Sequence, residues 1–328
     1  MGLTRGAVEQ HISGWVKRLE RDKTYPYRWK WPRFLFRHEP LENAVLILRS
    51  GNLLSRHEAG DLEHVDIAPP GIILNRREAH HFARLYFRPR TPTQYRVEGI
   101  RKKEELYRSE NADAPVLVMF IFRAGPVLTM EPTGFSDGNM QSQSTRNGFD
   151  EGFFKQIDFE SVYHDGSFDP ATDLGKEILR KRCAEVLAPS PLPLEGTLYK
   201  VLCRSEAERQ ALLYRCPLLP VQMRSKVLVA TEPGLFESRY TYVRSIDMDS
   251  SGLSFRLNPR RNGRPVEVSV EVRSSTGTTV VQANRQPVDP ARKLRLSCPL
   301  GEGRYRVQIS LEGHLAYENE LAVTDAPF

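Results

Sequence analysis

One carboxylate, Glu185, stands at a position in the sequence that suits chemistry. It follows the basic residues Arg180–Arg182 and begins an apolar, strand-like run that Pro189 ends. A carboxylate held there can stabilise positive charge that develops in a transition state, and it can orient or deprotonate an incoming nucleophile. The alternative is a surface glutamate paired with Arg182, and this stretch on its own favours that alternative.

Basic residues and a histidine–aspartate pair offer further candidates. Arg88 and Arg90 flank Pro89, so a fixed turn rather than a helix face presents them. His164 and Asp165 could assist a reaction, although such a pair in a loop more often faces solvent. The run 25–32 (YPYRWKWP) could stack on bases and contact phosphates. Packing of that run as an arm on its own domain is the more common outcome.

The elements that must position these residues mix helices and strands. Apolar spacing predicts helices over 7–22, 42–49, 174–183 and 206–214. Short apolar runs predict strands over 34–36, 82–87, 116–122, 127–130, 185–187 and 198–203. The polar segment 135–146 is typical of a loop. This succession predicts an α+β class for the first two thirds of the chain.

The pattern changes after about residue 225, where short alternating strands follow one another with turn residues between them. The predicted strands are 226–230, 240–246, 254–257, 266–272, 278–283, 294–298, 304–311 and 315–321. Strands at this spacing indicate an all-β, immunoglobulin-like sandwich.

Bulk properties limit the class of protein. The chain has 328 residues, which favours two domains. Its four cysteines form no C-x-x-C pair, so we expect neither a zinc site nor a disulfide framework. No apolar run approaches the ~18 residues of a membrane span. Residues 1–30 lack the apolar core of a signal peptide, so we expect a cytoplasmic protein without a membrane or metal partner.

The net charge of +6 is concentrated in the first third of the chain. Residues 1–110 hold 21 Lys and Arg against 14 Asp and Glu, and the remainder is close to neutral. A basic module is typical of a protein that binds a polyanion, although solvated lysines and arginines explain the same excess.

Several stretches together resemble the DarT family of DNA ADP-ribosyltransferases. Residues 36–54 are similar to the family's Y-H-I-T-H-I-D-N-L…I-L…G-x-L-L opening, and 80–92 (HHFARLYFRPRTP) are similar to its H-D-Y-V-P-F-Y-F-x-P-R-S-P. The stretches 135–139 (FSDGN), 163–165 (YHD) and 182–185 (RCAE) complete the match, which covers roughly residues 33–215. One departure is Arg37, which stands where the family has histidine.

The resemblance implies a fold and a set of site residues. We expect an ADP-ribosyltransferase-like split β-sheet core at 34–224, an N-terminal helix and arm at 1–33, and an accessory sandwich at 225–328. Glu185 would be catalytic, with Arg56 and Arg77 as candidates for the family's catalytic arginine. The residues expected to bind NAD are Arg37, His38, Glu39, Asn43 and Tyr86. Those expected to bind nucleic acid are Arg84, Arg88, Arg90 and His164.

By the same resemblance we expect an NAD-dependent mono-ADP-ribosyltransferase that modifies a base in single-stranded DNA. Such a protein would act as a toxin or anti-phage effector countered by an antitoxin protein. Two alternatives stay open. The chain could be a non-catalytic nucleic-acid-binding module on the same fold, which the Arg37 departure motivates. It could also be a transferase that acts on RNA or on protein.

Overall fold

The structure, a computed structural model, describes residues 2–60, 77–101, 114–140, 142–260 and 263–324, without the side chains of Arg77 and Glu78. Contacts divide the chain into two compact units. The first comprises residues 1–96, 119–201 and 231–237, and the second comprises 97–118, 202–230 and 238–328. The domain boundaries predicted at 33/34 and 224/225 remain predictions. Compact units are defined by contacts in the folded chain, and their limits need not coincide with those of domains.

Strands up to residue 203 form the sheet that carries the predicted site. They are β1 (Phe34–Pro40), β2 (Asn52–Leu53), β3 (Ala83–Tyr86), β4 (Leu117–Arg123), β5 (Gly134–Ser136), β6 (Asn147–Gly148), β7 (Glu185–Ala188), β8 (Leu192–Pro193) and β9 (Leu198–Cys203). Their order in the sheet is β9-β4-β1-β3-β7-β5-β6, and β2 pairs separately with β8. A single ladder pair, Phe36 with Tyr86, joins β1 to β3. The sheet is therefore split near its middle, as expected.

Four of the α-helices in the described ranges were predicted, and these four begin and end within three residues of the expected bounds. The full set includes helices of both units. They are α1 (Arg5–Leu19), α2 (Leu41–Ser50), α3 (Arg56–Ala59), α4 (Pro92–Val97), α5 (Ala124–Leu128), α6 (Glu151–Gln156), α7 (Phe159–Val162), α8 (Asp173–Lys181), α9 (Glu206–Arg215) and α10 (Val221–Arg224). Two 3₁₀ helices span Arg28–Arg33 and Arg77–His81. Gly51 ends α2 in the left-handed conformation (φ 70°), which glycine adopts without strain.

The strand predicted over 127–130 is wrong, because α5 extends to Leu128 and residues 129–130 form a turn and a bend. Its buried residues Ala124, Val127 and Leu128 recur at helical spacing. Pro126 lies in the first turn, where no intrahelical partner is needed for the N–H that proline lacks. The loop predicted at 135–146 begins inside β5 and otherwise contains turns and bends.

The second unit contains two antiparallel sheets. Its strands are β10 (Val227–Val229), β11 (Val243–Asp249), β12 (Gly252–Leu257), β13 (Val266–Ser274), β14 (Thr279–Val288), β15 (Lys293–Ser297), β16 (Gly303–Leu311) and β17 (His314–Val323). The sheets have the orders β11-β12-β15 and β14-β13-β16-β17. Phe255 of one sheet and Val268 and Val307 of the other belong to one buried cluster, so the sheets enclose a common core.

The α+β class with an all-β C-terminal region is confirmed. One predicted sandwich strand is misplaced, because β10 extends β9 instead: the Ala230 amide donates to the Cys203 carbonyl at 2.9 Å. Among the described residues, seven strands remain in the sandwich. The fourth of them, β14, pairs with the third, whereas a constant-type immunoglobulin domain places its fourth strand on the other sheet.

Candidate functional site

Glu185 lies inside the first unit, opposite Tyr86 of the neighbouring strand. β7 pairs with β3 so that Glu185 faces Tyr86, and Tyr86 in turn faces Phe36 of β1. Side chains directly opposite on neighbouring strands share a face of the sheet. Glu185 is 1% exposed, and the predicted strand does start at this residue. The three strands therefore meet at a buried row that contains the candidate carboxylate.

Arg84 holds both carboxylate oxygens of Glu185. Its Nη2 donates to Oε1 at 2.6 Å, and its Nε donates to Oε2. Arg84 lies two residues before Tyr86 in β3, so both side chains are on the face that carries Glu185. Burial opposes the charge of Arg84, but Glu185 raises the pKa of the guanidinium above its ordinary value. This bidentate ion pair fixes the orientation of the carboxylate.

Arg182, the partner in the alternative interpretation of Glu185, binds elsewhere. Its Nη2 lies 2.8 Å from Nδ1 of His164 and 2.9 Å from the carbonyl oxygen of Gly166. A guanidinium has only donors, so His164 accepts through Nδ1. Burial, and then the charge of Arg182, lowers the pKa of His164. The alternative of a surface glutamate paired with Arg182 is wrong, because Glu185 is buried against Arg84.

The FSDGN segment supports the backbone around Glu185. The Ser136 hydroxyl accepts from the Glu185 amide at 3.0 Å and donates to the Gly138 carbonyl at 2.7 Å. A Cβ at Gly138 would lie 2.6 Å from Nη1 of Arg180, so a larger residue would displace that side chain. Arg180 also donates to Asp137 at 2.9 Å, which ties the end of α8 to this segment.

The predicted NAD-binding residues of β1 and α2 form a connected group. Nε of Arg37 donates to Oε1 of Glu39 at 2.6 Å, and Nδ2 of Asn43 donates to Oε2 of Glu39 at 2.9 Å. Arg37 also reaches the carbonyl oxygen of Arg84 at 3.4 Å. Glu39 therefore orients Arg37 and Asn43 beside the strand that carries Arg84. A guanidinium placed in this way can bind a pyrophosphate through two donors.

His38 packs against Tyr86. The two rings are stacked, with centroids 5.4 Å apart and planes at 6°. Burial, followed by the charge of Arg37, lowers the pKa of His38 to about 3. Burial, followed by the charge of Glu185, raises the pKa of Tyr86 to about 12. Both rings are therefore neutral near neutral pH, and the charge of the site resides on its arginines and glutamates.

The buried His38 makes stability depend on pH. The unfolded chain takes up a proton on this histidine below about pH 6.5, whereas the folded chain does not until about pH 3. Stability is therefore complete above the unfolded pKa and is lost as the pH falls below it. Between pH 7 and pH 5 we expect a loss of about 2 kcal/mol in the free energy of unfolding from this group.

Urea unfolding of the wild type and of His38→Phe at both pH values measures this loss. The variant keeps a ring against Tyr86 and removes the titrating nitrogen. We expect its stability to fall by about 2 kcal/mol less than that of the wild type between the two pH values. An equal fall in both proteins would mean that His38 is already protonated in the folded chain.

The side chain of one of the two candidate catalytic arginines lies in the described part of the chain. Arg56 begins α3, and burial followed by the charge of Arg84 lowers its pKa. The positive charge of Arg84 therefore acts on this guanidinium. Arg77 begins a 3₁₀ helix, and its side chain is outside the described part of the chain.

Arg88 is enclosed within the first unit instead of facing a cleft. It is 1% exposed, it donates to Oδ1 of Asp165 at 2.6 Å, and it also binds the carbonyl oxygen of His164. Its guanidinium lies over the Trp31 ring, 4.8 Å from the centroid. The structure therefore does not support the predicted phosphate contact of Arg88.

Three donor side chains contact the carboxylate of Asp165 in the YHD segment. Besides Arg88, it accepts from the Tyr27 hydroxyl at 2.6 Å, and Nη1 of Arg90 lies 3.4 Å away. Burial and then Asp165 raise the pKa of Tyr27 to about 12, so the phenol keeps its proton. Arg90 is about a third exposed and, unlike Arg88, remains accessible for the predicted DNA contact.

Part of the aromatic and basic arm packs on its own unit. Trp31 is buried under Arg88, and Nη1 of Arg28 donates to the Tyr163 carbonyl at 2.5 Å. These residues connect the arm to the YHD segment. For them the structure favours the packed alternative over base stacking.

Sequence reasoning missed two residues that define the site. Ser136 was noticed only as part of a motif, and its hydrogen bond to the Glu185 amide depends on how β5 and β7 pair. Arg84 was assigned to nucleic acid. Its position two residues before Tyr86 in a strand could have indicated that it shares the face of the site.

The described ranges offer neither a metal-binding cluster nor a membrane-spanning helix. No three or more His, Cys, Asp and Glu side chains there come together in a group that could hold a metal ion. Within the same ranges, no helix is long and apolar enough to cross a membrane.

Comparisons with known proteins point to one family. A family profile described as "ssDNA thymidine ADP-ribosyltransferase, DarT" matches residues 36–230. No curated protein matches the sequence. Similar solved structures include Thermus sp. 2.9 DarT in complex with NAD+ (19% identity, TM-score 0.47, 61% of this chain and 96% of that chain).

The same Thermus protein in complex with ADP-ribosylated ssDNA is 20% identical, with a TM-score of 0.48, over 61% of this chain and 94% of that chain. CopC from Methylosinus trichosporium OB3b is 22% identical, with a TM-score of 0.20, over 27% of this chain and 98% of that chain. These likenesses are too distant to support arguments about individual residues.

Proposed function

Because the chain belongs to the DarT family of ssDNA thymidine ADP-ribosyltransferases, we propose that Glu185 drives transfer of ADP-ribose from NAD to a thymidine base. The chain is an NAD-dependent ADP-ribosyltransferase that acts on single-stranded DNA. The observation that carries the assignment of Glu185 is its burial in the Phe36–Tyr86–Glu185 row, with both oxygens held by Arg84. The alternative of a non-catalytic binding module does not explain why a carboxylate would be buried and oriented there.

The reaction breaks the bond between the nicotinamide nitrogen and the ribose carbon, and the electron pair of that bond leaves with nicotinamide. The ribose then carries positive charge until the base forms a new bond to the same carbon and loses its proton. A carboxylate beside the ribose lowers the energy of that charged transition state. Arg37, oriented by Glu39, is suited to the pyrophosphate of NAD, and the neutral Tyr86 and His38 rings are suited to the nicotinamide side.

Intact mass of single-stranded oligonucleotides tests this function. Oligonucleotides with and without thymidine, and matching RNA, are incubated with the full chain and NAD. We expect a gain of one ADP-ribosyl group only on DNA that contains thymidine. Adducts on RNA alone, or on DNA without thymidine, would overturn the assigned substrate. NAD left intact with every polymer would overturn the activity.

A toxin or anti-phage role, exerted in the cytoplasm and countered by a protein that removes the mark, is the biological function that we propose for this activity. It rests on the sequence resemblance described above. In addition, bulky groups on template bases obstruct base pairing, so the activity can stop growth. Induced expression would arrest growth for the wild type and not for Glu185→Gln. Equal growth of the two strains, with both proteins present, would contradict this role.

We propose further that Arg84 is a positioning residue for Glu185 rather than a DNA ligand. In the family pattern quoted above this position is proline, so the ion pair is a property of this chain. A guanidinium bound to both carboxylate oxygens keeps the Glu185 side chain in one orientation. The compact ammonium group of lysine holds a carboxylate less firmly.

For Arg84→Gln we expect kcat to fall between about 10- and 100-fold, because a charged hydrogen-bonded pair is lost, with little change in KM for NAD or DNA. Arg84→Lys should recover part of the rate. Steady-state kinetics with each substrate varied in turn measures the split. A higher KM for DNA with kcat unchanged would assign Arg84 to the DNA instead.

A further inference from the structure

One part of the aromatic and basic arm does not pack inward. It joins residues of β1, β4 and β9 in a band of alternating rings and cations in the first unit. We name it the aromatic–basic stripe; it consists of Trp29, Arg33, Phe34, Arg123, Tyr199 and Lys200. Arg33 and Arg123 are exposed, and the other four are partly exposed.

The stripe is organised by ring stacking and by cations above the rings. The Phe34 and Tyr199 rings are stacked, with centroids 4.7 Å apart and planes at 20°. The guanidinium of Arg123 and the ammonium of Lys200 lie 5.5 and 5.0 Å from the centroid of Tyr199. At the other end Arg33 lies 5.2 Å from the centroid of Trp29. Flat apolar surfaces and positive charges are thus placed next to one another.

The cations of the stripe keep their charge uncompensated. Across the residues that the structure describes, no carboxylate forms an ion pair with Arg33, Arg123 or Lys200. By contrast, the neighbouring Lys30 is neutralised by Glu232 at 2.8 Å. Exposed cations without a carboxylate partner can bind phosphate without breaking an existing ion pair.

Phe34 of the stripe lies on the face of the sheet that carries Glu185. Phe34 and Phe36 are two residues apart in β1, so their side chains share a face. Phe36 faces Tyr86, which faces Glu185. At ~4.8 Å between neighbouring strands, β1 is ~10 Å from β7, and the stripe extends from β1 away from Glu185 towards β9. A polymer bound near Glu185 would meet the stripe with an adjoining segment.

We propose that the aromatic–basic stripe is a second subsite for single-stranded DNA, which holds nucleotides flanking the modified base. Unpaired bases can stack on Trp29 and on the Phe34–Tyr199 pair, whereas bases inside a duplex have no free face. The cations lie over the rings, within reach of the phosphates of a strand that runs along the stripe. This inference rests on the proposed function only in its choice of DNA as the polymer.

Equilibrium binding of a labelled single-stranded oligothymidylate of about 16 nucleotides to the full chain, without NAD, tests the stripe. Tyr199→Leu keeps apolar volume and removes the ring. We expect it to weaken binding about tenfold, since each stacked base contributes on that scale. In ADP-ribosyl transfer the same change should raise KM for the oligonucleotide by a similar factor.

A charge variant provides an independent measurement. The triple change Arg33→Gln, Arg123→Gln and Lys200→Gln should reduce the slope of log Kd against log salt by about 2, at ~0.7 for each lost phosphate contact. The matched control is Arg244→Gln, Arg256→Gln and Arg285→Gln, three exposed arginines of the second unit. It removes the same charge and should leave the slope unchanged.

Tryptophan fluorescence locates the strand on the stripe. Of the three tryptophans, Trp31 is buried, and Trp29 is the one in the stripe. Bound DNA should quench the wild type, and Trp29→Phe should remove most of that quenching while preserving affinity.

A control triple variant that loses as much salt dependence as the stripe variant would overturn the subsite, and so would wild-type affinity in Tyr199→Leu. So would an absence of oligonucleotide binding by the wild type. If oligonucleotides are modified while the stripe variants bind normally, only the subsite fails. If the stripe variants lose binding while no adduct ever forms, the proposed function fails and the subsite stands.

Discussion

Glu185→Gln is expected to lower kcat for ADP-ribosyl transfer about 10³-fold, because the negative charge that faces the developing ribose cation is removed. The amide has almost the same shape and can still accept hydrogen bonds from Arg84. The loss should therefore appear in kcat, with NAD affinity changed only a few fold. Rates of nicotinamide release and of adduct formation, each at saturating NAD and DNA, measure it.

Two further variants separate charge from position. Glu185→Asp keeps the charge and withdraws it by one methylene; a displacement of about 1 Å can cost about 10²-fold in rate. Glu195→Gln changes an exposed glutamate of the same unit and should retain full activity. If Glu185→Gln kept more than about a tenth of the wild-type rate, electrostatic stabilisation by this residue could not be the main source of catalysis.

Local patterns placed Glu185 at the start of a strand, whereas only the family resemblance favoured a catalytic role over a surface glutamate. The helix that ends at Lys181 has capping and basic last-turn residues, and the run from Glu185 to Ala188 is uniformly buried. Such features act over a few residues and are visible in the sequence. The same kind of signal predicted the helix over 42–49, which the structure shows as α2 (Leu41–Ser50).

The partners of the charged residues were not predictable in this way. Arg182 is three residues from Glu185 in sequence, yet the residue that binds Glu185 is Arg84 from another strand. Which arginine is used depends on strand pairing, and pairing is a property of the folded chain. The same holds for Arg88, which was expected to bind nucleic acid from a turn at Pro89. Its buried position depends on Asp165, far away in sequence.

The arm at 25–32 illustrates a limit of composition as a guide. Its alternating aromatic and basic residues fit both a packed arm and a stacking surface. In the structure, neighbours in sequence take different roles: Arg28 and Trp31 are buried, whereas Trp29 and Lys30 are partly exposed. The 3₁₀ helix over Arg28–Arg33 produces this division, because consecutive side chains on a helix face different directions.

The second large effect is expected on stability. Asp165→Ala should lower the free energy of unfolding of the first unit by about 3–5 kcal/mol, since it leaves the Arg88 guanidinium buried without a counter-charge. Arg88 and Asp165 are 1% and 2% exposed, so water screens neither charge. The change also removes the acceptor of the Tyr27 hydroxyl. A loss of this size is a large fraction of the stability of an ordinary domain, about 5–15 kcal/mol.

Tryptophan fluorescence during urea unfolding measures this loss selectively, because all three tryptophans, at positions 15, 29 and 31, belong to the first unit. The double variant Arg88→Met with Asp165→Ala should lose less than the sum of the two single changes, because no charge is then left unpaired. Additive losses, or a loss below about 1 kcal/mol for Asp165→Ala, would mean that Arg88 finds another counter-charge or reaches water. In that case Arg88 would again become a candidate for the DNA contact that its buried position argues against.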